Sequence, residues 1–172
     1  MKSLLLSQGI DVDNATVSLC GEVDHLMYEK VFKAIHILHS ADYITFLLNT
    51  EGGYVSHGFA IHDLIKSAAP NAKMMCVGSV MSAGVIILMA GKEKISYPNT
   101  QFMIHYGSET NESGTETIHN NKITKKLKDL VENNVNVKRR TVNSWFNKET
   151  YFDAEHALRV GLIDRIVGES EL

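Results

Sequence analysis

Short apolar runs recur along the chain, separated by longer segments in which apolar residues follow a helical spacing. The runs predict buried strands because they are short and are bounded by small or polar residues. In chain order they are ATVSLCG (15–21), YITFLLN (43–49), KMMCVGS (73–79), a run near Ile95, QFMIHY (101–106) and DRIV (164–167). The pattern therefore predicts strands and helices in alternation.

The segments between these strands predict helices. DHLMYEKVFKAIHILHS (24–40) carries apolar residues on one helical face, and Asp24 is placed to cap its N-terminus. VSHGFAIHDLIKSA (55–68) predicts a helix that stops before Pro70, and SAGVIILMAG (82–91) predicts a short one. The apolar face of the first helix comprises Leu26, Val31, Ala34, Ile35 and Leu38.

Two further helices are predicted in the C-terminal third. A long amphipathic helix is expected from about Ile118 to Trp145, after the polar loop GSETNESGTET (107–117). FDAEHALRVGLID (152–164) predicts a capped helix that ends near Gly161. The apolar residues of the long helix are Ile123, Leu127, Leu130, Val131, Val135 and Val142.

Alternating strands and helices predict an α/β fold with a mainly parallel sheet, surrounding helices and right-handed crossovers. The 172 residues suit a single domain over 1–172. Within it we expect a short N-terminal segment over about 1–14, and the polar loop with the long helix over about 107–145. In such sheets, functional groups collect in turns after the carboxyl ends of strands. Gly52–Gly53 and Ser82 lie in turns of that kind.

The uncharged run from Met74 to Gly91 has 18 residues, which is close to the minimum for a helix that spans a membrane. Glycine and serine residues interrupt its middle, at Gly78, Ser79 and Ser82. A strand, a turn and a short helix would bury the same residues without lipid. We therefore favour a buried strand and helix over a membrane span.

The net charge and the cysteine content give limited information about the partners and the location of the protein. The formal net charge of −3 gives no electrostatic reason to expect a nucleic acid or an anionic membrane as partner. The two cysteines, Cys20 and Cys76, both lie in apolar runs, so we expect buried free thiols and a cytoplasmic location. The N-terminal stretch is too short in apolar residues for a signal peptide.

Ser82 is the first residue with a chemical interpretation. Ala83 and Gly84 follow it and open a helix, so its hydroxyl would lie beside free backbone N–H groups that could stabilise an oxyanion. A small residue that allows strand and turn to pack is the simpler explanation. Ser82 taken alone favours that explanation, since the surrounding residues do not form a G-x-S-x-G elbow.

His105 and the glycine pair are two further candidates. His105 closes an apolar strand and could face a cleft as a general base, although a histidine without a catalytic role is more common. Gly52 and Gly53 would permit backbone conformations closed to other residues and leave an N–H uncovered, or form a plain tight turn. His36 and His39 share a helix face, but no acidic or cysteine ligand stands at a familiar spacing, so neither a metal nor a cofactor is expected.

Four stretches taken together resemble the proteolytic subunit of Clp protease, ClpP. They are LLNTEGGYVSHGFAIHDLIK (47–66), CVGSVMSAGVIILMAG (76–91), PNTQFMIHY (98–106) and ETYFDAEHALRVGLIDRIV (149–167). Each motif is loose, but their order and spacing match the family from about Thr16 to Val167. The resemblance implies a serine endopeptidase of the crotonase-like α/β fold that hydrolyses polypeptides inside an oligomeric ring, by default a stacked heptamer.

Carried over by position, the resemblance makes Ser82 the nucleophile and His105 the general base. The backbone N–H groups of Gly53 and Ala83 would form the oxyanion hole. The family's acid is usually an aspartate, and the matching position here is Glu149, as in ClpP-like proteins of phage head gene clusters. Asp153 is the alternative acid, although it is better explained as a helix N-cap. Asp164 is the weakest choice.

Besides the glutamate at position 149, the chain departs from the family pattern in the substrate-clamping strand and in the N-terminal segment. ClpP has a proline and a glycine pair in the strand that clamps substrate, where this chain has YGSETNESGTET (106–117). The N-terminal segment that forms axial gating loops in the family is reduced to about a dozen residues. An AAA+ unfoldase is therefore the least secure of the implied partners.

Two other functions stay open at the level of sequence. The chain could be a catalytically inactive ring or shell subunit, in a phage or a regulatory complex, that keeps the fold without a productive triad. It could also be a crotonase-type acyl-CoA enzyme that uses the paired N–H groups for a thioester oxyanion. The second is less favoured because no basic pocket for CoA phosphates is evident.

Overall fold

A mainly parallel sheet forms the centre of the molecule. The structure is a computed structural model that describes residues 2–105 and 118–168. Its strands are β1 (Ile10–Asp11), β2 (Thr16–Cys20), β3 (Thr45–Thr50), β4 (Lys73–Met81), β5 (Glu93–Ser96), β6 (Gln101–Ile104), β7 (Thr150–Phe152) and β8 (Arg165–Ile166). Its helices are α1 (Lys2–Ser7), α2 (His25–Ile37), α3 (Val55–Ala68), α4 (Ala83–Leu88), α5 (Ile118–Glu132), α6 (Arg139–Phe146) and α7 (Ala154–Arg159).

The strands follow the order β1-β2-β3-β4-β5-β8. Only the β1–β2 and β6–β7 pairs are antiparallel among the described residues. Strand β4 changes partner along its length: residues 73–76 pair with β5, and residues 79–81 pair with β6. Strand β6 in turn pairs with β7. The predicted α/β fold with a mainly parallel sheet and surrounding helices is therefore confirmed.

Helix α2 begins where the sequence predicts. The Asp24 side chain accepts a hydrogen bond from the Met27 N–H at 2.9 Å, which satisfies an orphan donor of the first turn. The predicted apolar face is wrong at one position, because Leu26 is exposed and Met27 is buried in its place. The buried face packs on the sheet through β2 and on helix α3.

The Met74–Gly91 run folds as the strand β4 and the buried helix α4. All six residues of α4 are buried, and the helix packs on β3, β4 and α3. Within the described ranges, the structure contains no helix that is both long and apolar enough to span a membrane. The core also contains large side chains from other strands, including Phe46, Leu48, Phe102 and Phe152.

The single long helix predicted from Ile118 to Trp145 is in fact two helices, α5 and α6. Residues 133–138 between them include three asparagines and two valines, which are poor helix formers. Asn134 bonds the Leu130 carbonyl through its side chain at 2.8 Å, and the Asn136 N–H donates to Val160 instead of continuing a helix. The apolar residues Leu127, Leu130 and Val131 pack against the chain's own core.

The cysteine prediction is half wrong. Both thiols are free, but only Cys76 is buried, whereas Cys20 is exposed. The burial pattern alternates along β2 and its last residue points outward, so an apolar run did not guarantee burial at its end. The predicted loop 107–117 lies outside the described residues. Helix α1 and strands β1 and β7 were not predicted from the sequence.

Candidate active site

Ser82 occupies a strained turn between β4 and α4. Its backbone has φ 52° and ψ −120°, a left-handed region that non-glycine residues seldom adopt. Two main-chain hydrogen bonds hold the turn: Ser82 N–H donates to Met103 at 2.9 Å, and Val85 N–H donates to Ser82 at 3.0 Å. The first of these bonds ties the serine to strand β6.

The Ser82 hydroxyl is hydrogen-bonded to His105. The distance from Ser82 Oγ to His105 Nε2 is 2.8 Å, and both residues are half-buried. His105 immediately follows β6, which pairs in parallel with the end of β4 that precedes Ser82. Adjacent strand ends thus bring together two residues that are 23 positions apart in the sequence.

The glycine turn after β3 lies against Ser82. Gly52 has φ +109°, and a Cβ atom there would lie 2.7 Å from Ser82 Cβ. Gly53 has φ +147°, and a Cβ atom there would lie 2.6 Å from the Val23 carbonyl oxygen. The buried Thr50 hydroxyl accepts a hydrogen bond from Gly52 N–H at 3.0 Å and so fixes the turn. Both glycines are required by conformation and by space.

Two backbone N–H groups near Ser82 have no hydrogen-bond partner among the described residues. Val23 N–H donates to the Gly52 carbonyl, and Tyr54 N–H donates to the Val23 carbonyl, each at 2.8 Å. The N–H of Gly53, between Gly52 and Tyr54 in the chain, takes no part in this pairing. Ala83 is the first residue of α4, where an N–H has no intrahelical acceptor. Neither the Gly53 nor the Ala83 N–H forms a hydrogen bond with any residue that the structure describes.

Glu149 is hydrogen-bonded to a tyrosine. The Tyr151 hydroxyl donates to Glu149 Oε2 at 3.1 Å. In the β6–β7 ladder, Ile104 pairs with Thr150, so continuing the register by one residue places Glu149 opposite His105. No carboxylate of the described residues is hydrogen-bonded to His105 Nδ1. No sequence pattern identified Tyr151, although it lies two residues after Glu149, a spacing that puts both side chains on one face where the chain is extended.

The two other acids have different partners. Asp153 is the N-cap of α7 and accepts a hydrogen bond from His156 N–H at 2.7 Å. Asp164 accepts from Lys94 N–H at 2.7 Å, and its second oxygen lies 3.8 Å from Lys94 Nζ. These contacts explain both aspartates as structural residues.

An apolar depression adjoins Ser82 and His105. Its wall combines the start of α3, helix α4 and the apolar faces of α5 and α6. The apolar side chains that line it are Val55, Val85, Ile104, Leu127, Val131 and Phe146. The depression has a volume of about 10 Å³ and is too small to admit a substrate side chain, so its apolar residues act as packing beneath Ser82 and His105.

A polar network stands on the opposite flank of the glycine turn. Asn49 Oδ1 accepts a hydrogen bond from Ser79 N–H at 3.1 Å, where the β3–β4 register shifts. Ser79 Oγ donates to Glu51 Oε1 at 2.5 Å. The network holds the irregular end of β3 against β4 and thereby positions the turn. No group of three or more His, Cys, Asp or Glu residues within the described ranges is arranged to hold a metal ion.

Comparison with protein-family models identifies the family. The model described as Clp protease matches residues 8–170, which is nearly the whole chain. The chain belongs to the Clp protease family. This membership and the fold together support a ClpP-type peptidase in general.

A solved ClpP structure has the same fold. A point mutant of ClpP1 from Listeria monocytogenes superposes with a TM-score of 0.85 and 26% sequence identity. The alignment covers 98% of this chain and 98% of that chain. The family resemblance expected from the four motifs is thereby confirmed. Members of the family form oligomeric rings.

Proposed function

We propose that this chain is a serine endopeptidase that hydrolyses unfolded polypeptides or peptides inside an oligomeric chamber. Ser82 is the nucleophile, His105 is the general base and Glu149 is the acid of the triad. The N–H groups of Gly53 and Ala83 form the oxyanion hole. The observation that carries the proposal is the 2.8 Å hydrogen bond between Ser82 Oγ and His105 Nε2.

Acylation begins with proton transfer from Ser82 Oγ to His105 Nε2 as the oxygen attacks the peptide carbonyl carbon. The carbonyl oxygen becomes an oxyanion, which accepts hydrogen bonds from the two unpaired N–H groups. His105 then gives its proton to the departing amine, and the C–N bond breaks. A water molecule, deprotonated by the same imidazole, hydrolyses the acyl-enzyme and restores the hydroxyl.

The backbone geometry supports the oxyanion assignment. Serving as a donor requires an N–H that has no internal partner, and both Gly53 and Ala83 meet that condition among the residues described. Loss of one such donor typically lowers turnover on the order of 100-fold or more. The strained φ of Ser82 is consistent with a turn built to present a hydroxyl, since strain of this kind collects at active sites.

The ring belongs to the same proposal. Family membership supports a homo-oligomer, and a stacked heptamer is the default arrangement. Native mass spectrometry of the purified chain would give the number of subunits. A monomer at micromolar concentration would contradict the chamber but not the hydrolytic chemistry.

A catalytically inactive ring subunit is the second candidate. The observation that favours it is the Glu149 carboxylate, which is bonded to Tyr151 while no described carboxylate is bonded to His105. An imidazole without an acid partner is a poorer base, because nothing fixes its tautomer or stabilises the imidazolium.

Covalent labelling distinguishes the two candidates. A fluorophosphonate probe should label the wild-type chain at Ser82, and cleavage of a short fluorogenic peptide should be detectable. Ser82→Ala should abolish both labelling and cleavage without changing oligomer size. Ser67→Ala is the matched control, because Ser67 lies on α3 and its hydroxyl bonds the Leu64 carbonyl, away from the site. Peptide cleavage by Ser82→Ala at the wild-type rate would end the proposal.

A further inference from the structure

Tyr151 in strand β7 and Glu149, the residue just before that strand, form a hydrogen-bonded pair. The Tyr151 hydroxyl donates to one carboxylate oxygen, Oε2, at 3.1 Å. No other hydrogen bond to either side chain is present among the described residues. The second oxygen, Oε1, therefore remains able to accept a further hydrogen bond.

The β6–β7 ladder brings this pair to the histidine. Met103 pairs with Tyr151 and Ile104 pairs with Thr150, so the next position of the ladder sets His105 against Glu149. Residues that are directly opposite in an antiparallel pair share a face, with Cβ atoms about 4.5–5.5 Å apart. A glutamate side chain at that distance can reach the imidazole Nδ1, since Nε2 is already bonded to Ser82.

The groups around Tyr151 favour the protonated form of its phenol, which can donate a hydrogen bond. The hydrogen bond to Glu149, two residues earlier in the chain, and to a lesser degree the charge of Glu51 in the turn after β3 raise the pKa of the Tyr151 phenol. From β6, the facing groups are the apolar Met103 and the imidazole of His105. At neutral pH the phenol therefore carries its proton and can only donate to the carboxylate.

We propose that Tyr151 is a positioning residue for the acid of the triad. Its hydroxyl holds Glu149 Oε2 and leaves Oε1 free to accept a hydrogen bond from His105 Nδ1, to which no described carboxylate is bonded in this structure. The bond from Tyr151 would thereby compensate for the extra methylene that glutamate has over aspartate. This inference depends on the proposed function, because it assigns Tyr151 a role through Glu149. Among the described residues, Tyr151 forms no hydrogen bond with Ser82, Gly53 or Ala83.

Tyr151→Phe tests the inference because it removes only the hydroxyl. The net value of one hydrogen bond predicts a kcat about 3- to 10-fold lower, with KM changed by less than about twofold. Tyr43→Phe is the matched control, since Tyr43 is also exposed and lies before β3, at the opposite end of the strands, beside Lys73. It should keep wild-type kcat and KM. An unchanged or higher kcat in Tyr151→Phe would overturn the inference.

A double mutant separates positioning from a general structural effect. In a Glu149→Gln background, Tyr151→Phe should cost less than about twofold, because the carboxylate that it positions is gone. A full additional 3- to 10-fold loss there, of about the size of one hydrogen bond, would show that Tyr151 acts by another route and would overturn the inference.

A readout without catalysis distinguishes this inference from the proposed function. The proton on His105 Nδ1 should give a downfield resonance that Glu149→Gln abolishes and Tyr151→Phe shifts or broadens. If the wild-type chain fails to react with the fluorophosphonate but shows this pattern, the peptidase proposal fails and the positioning contact stands. If Tyr151→Phe leaves the resonance unchanged, the positioning contact is refuted even in an active peptidase.

Discussion

The methyl group of Thr50 occupies the space that a side chain at Gly84 would need. A Cβ atom at Gly84 would lie 2.5 Å from Thr50 Cγ2. The threonine cannot turn away freely, because its hydroxyl is bonded to the N–H of Gly52. The contact couples the glycine turn to the second residue of helix α4, two positions after Ser82.

Gly84→Ala should therefore destabilise the protein. Overpacking typically costs about 1–3 kcal/mol, which outweighs the roughly 1 kcal/mol that alanine gains in a helix. The free energy of unfolding in urea measures the difference. In a Thr50→Ser background, which keeps the hydroxyl and removes the methyl group, Gly84→Ala should become neutral or stabilising. A loss of the same size in both backgrounds would show that the Thr50 methyl group is not the obstacle.

Glu149 and Asp153 should differ in what their loss affects. Glu149→Gln should lower kcat at least about tenfold with little change in stability, as expected for a residue that orients the base. Asp153→Ala should lower stability by about 1 kcal/mol through loss of the α7 cap and leave kcat per folded molecule unchanged. Steady-state kinetics and urea unfolding on both variants provide the test. A reversed pattern would move the triad acid to Asp153.

The phenol of Tyr151 should titrate above its ordinary range. Hydrogen bonding to Glu149 and the charges of Glu149 and Glu51 raise its pKa, since all three favour the neutral phenol. The stabilisation from this bond is fully present below the ordinary tyrosine pKa of about 10 and is lost as pH rises through the elevated folded-state pKa. NMR of ring-labelled tyrosine should show this elevated value in the wild-type chain. In Glu149→Gln it should fall towards the ordinary range, and no change there would contradict the contact.

The two thiols should react at very different rates. Burial raises the pKa of Cys76, and its side chain is inaccessible, so the folded protein should protect it. Cys20 is exposed at the end of β2. Ellman's reagent should therefore modify one of the two cysteines rapidly, and the second only in denaturant. Cys20→Ser serves as the control, because it should remove the fast phase alone.

Sequence patterns predicted the parts of the fold whose residues are determined locally. Asp24 caps α2 because its carboxylate accepts a hydrogen bond from an N–H of the first turn, three residues away in the chain. Helix α3 has the predicted bounds, Val55–Ala68. The patterns failed where long-range packing decides. Leu26 has the helical spacing of a core residue, but Met27 beside it is the buried one.

The candidate site, like the fold, was predictable where its residues follow local patterns and not where it depends on long-range packing. Ser82 and the glycine turn follow strands, so the alternation of strands and helices predicted that they lie at the carboxyl edge of the sheet. The meeting of Ser82 with His105 was implied only by the resemblance to ClpP. Strand β7 is three residues long and has no alternation of apolar and polar residues. For this reason the sequence did not predict the strand or the contact between Tyr151 and Glu149. The existence of β7 depends on pairing with β6, a contact that no local pattern encodes.

The change of partner along β4 has a mechanical consequence. The first part of β4, before Gly78, pairs with β5. The last part, which leads to Ser82, pairs with β6, the strand that ends just before His105. Serine and histidine are thus carried on one two-stranded ribbon whose spacing is set by main-chain hydrogen bonds. Substitutions of the surrounding side chains can therefore accumulate without separating Ser82 from His105. Gly53, by contrast, follows a different strand, β3. The position of the Gly53 N–H, which we propose as an oxyanion donor, relative to the Ser82 hydroxyl therefore depends on a second strand pairing, that of β3 with β4.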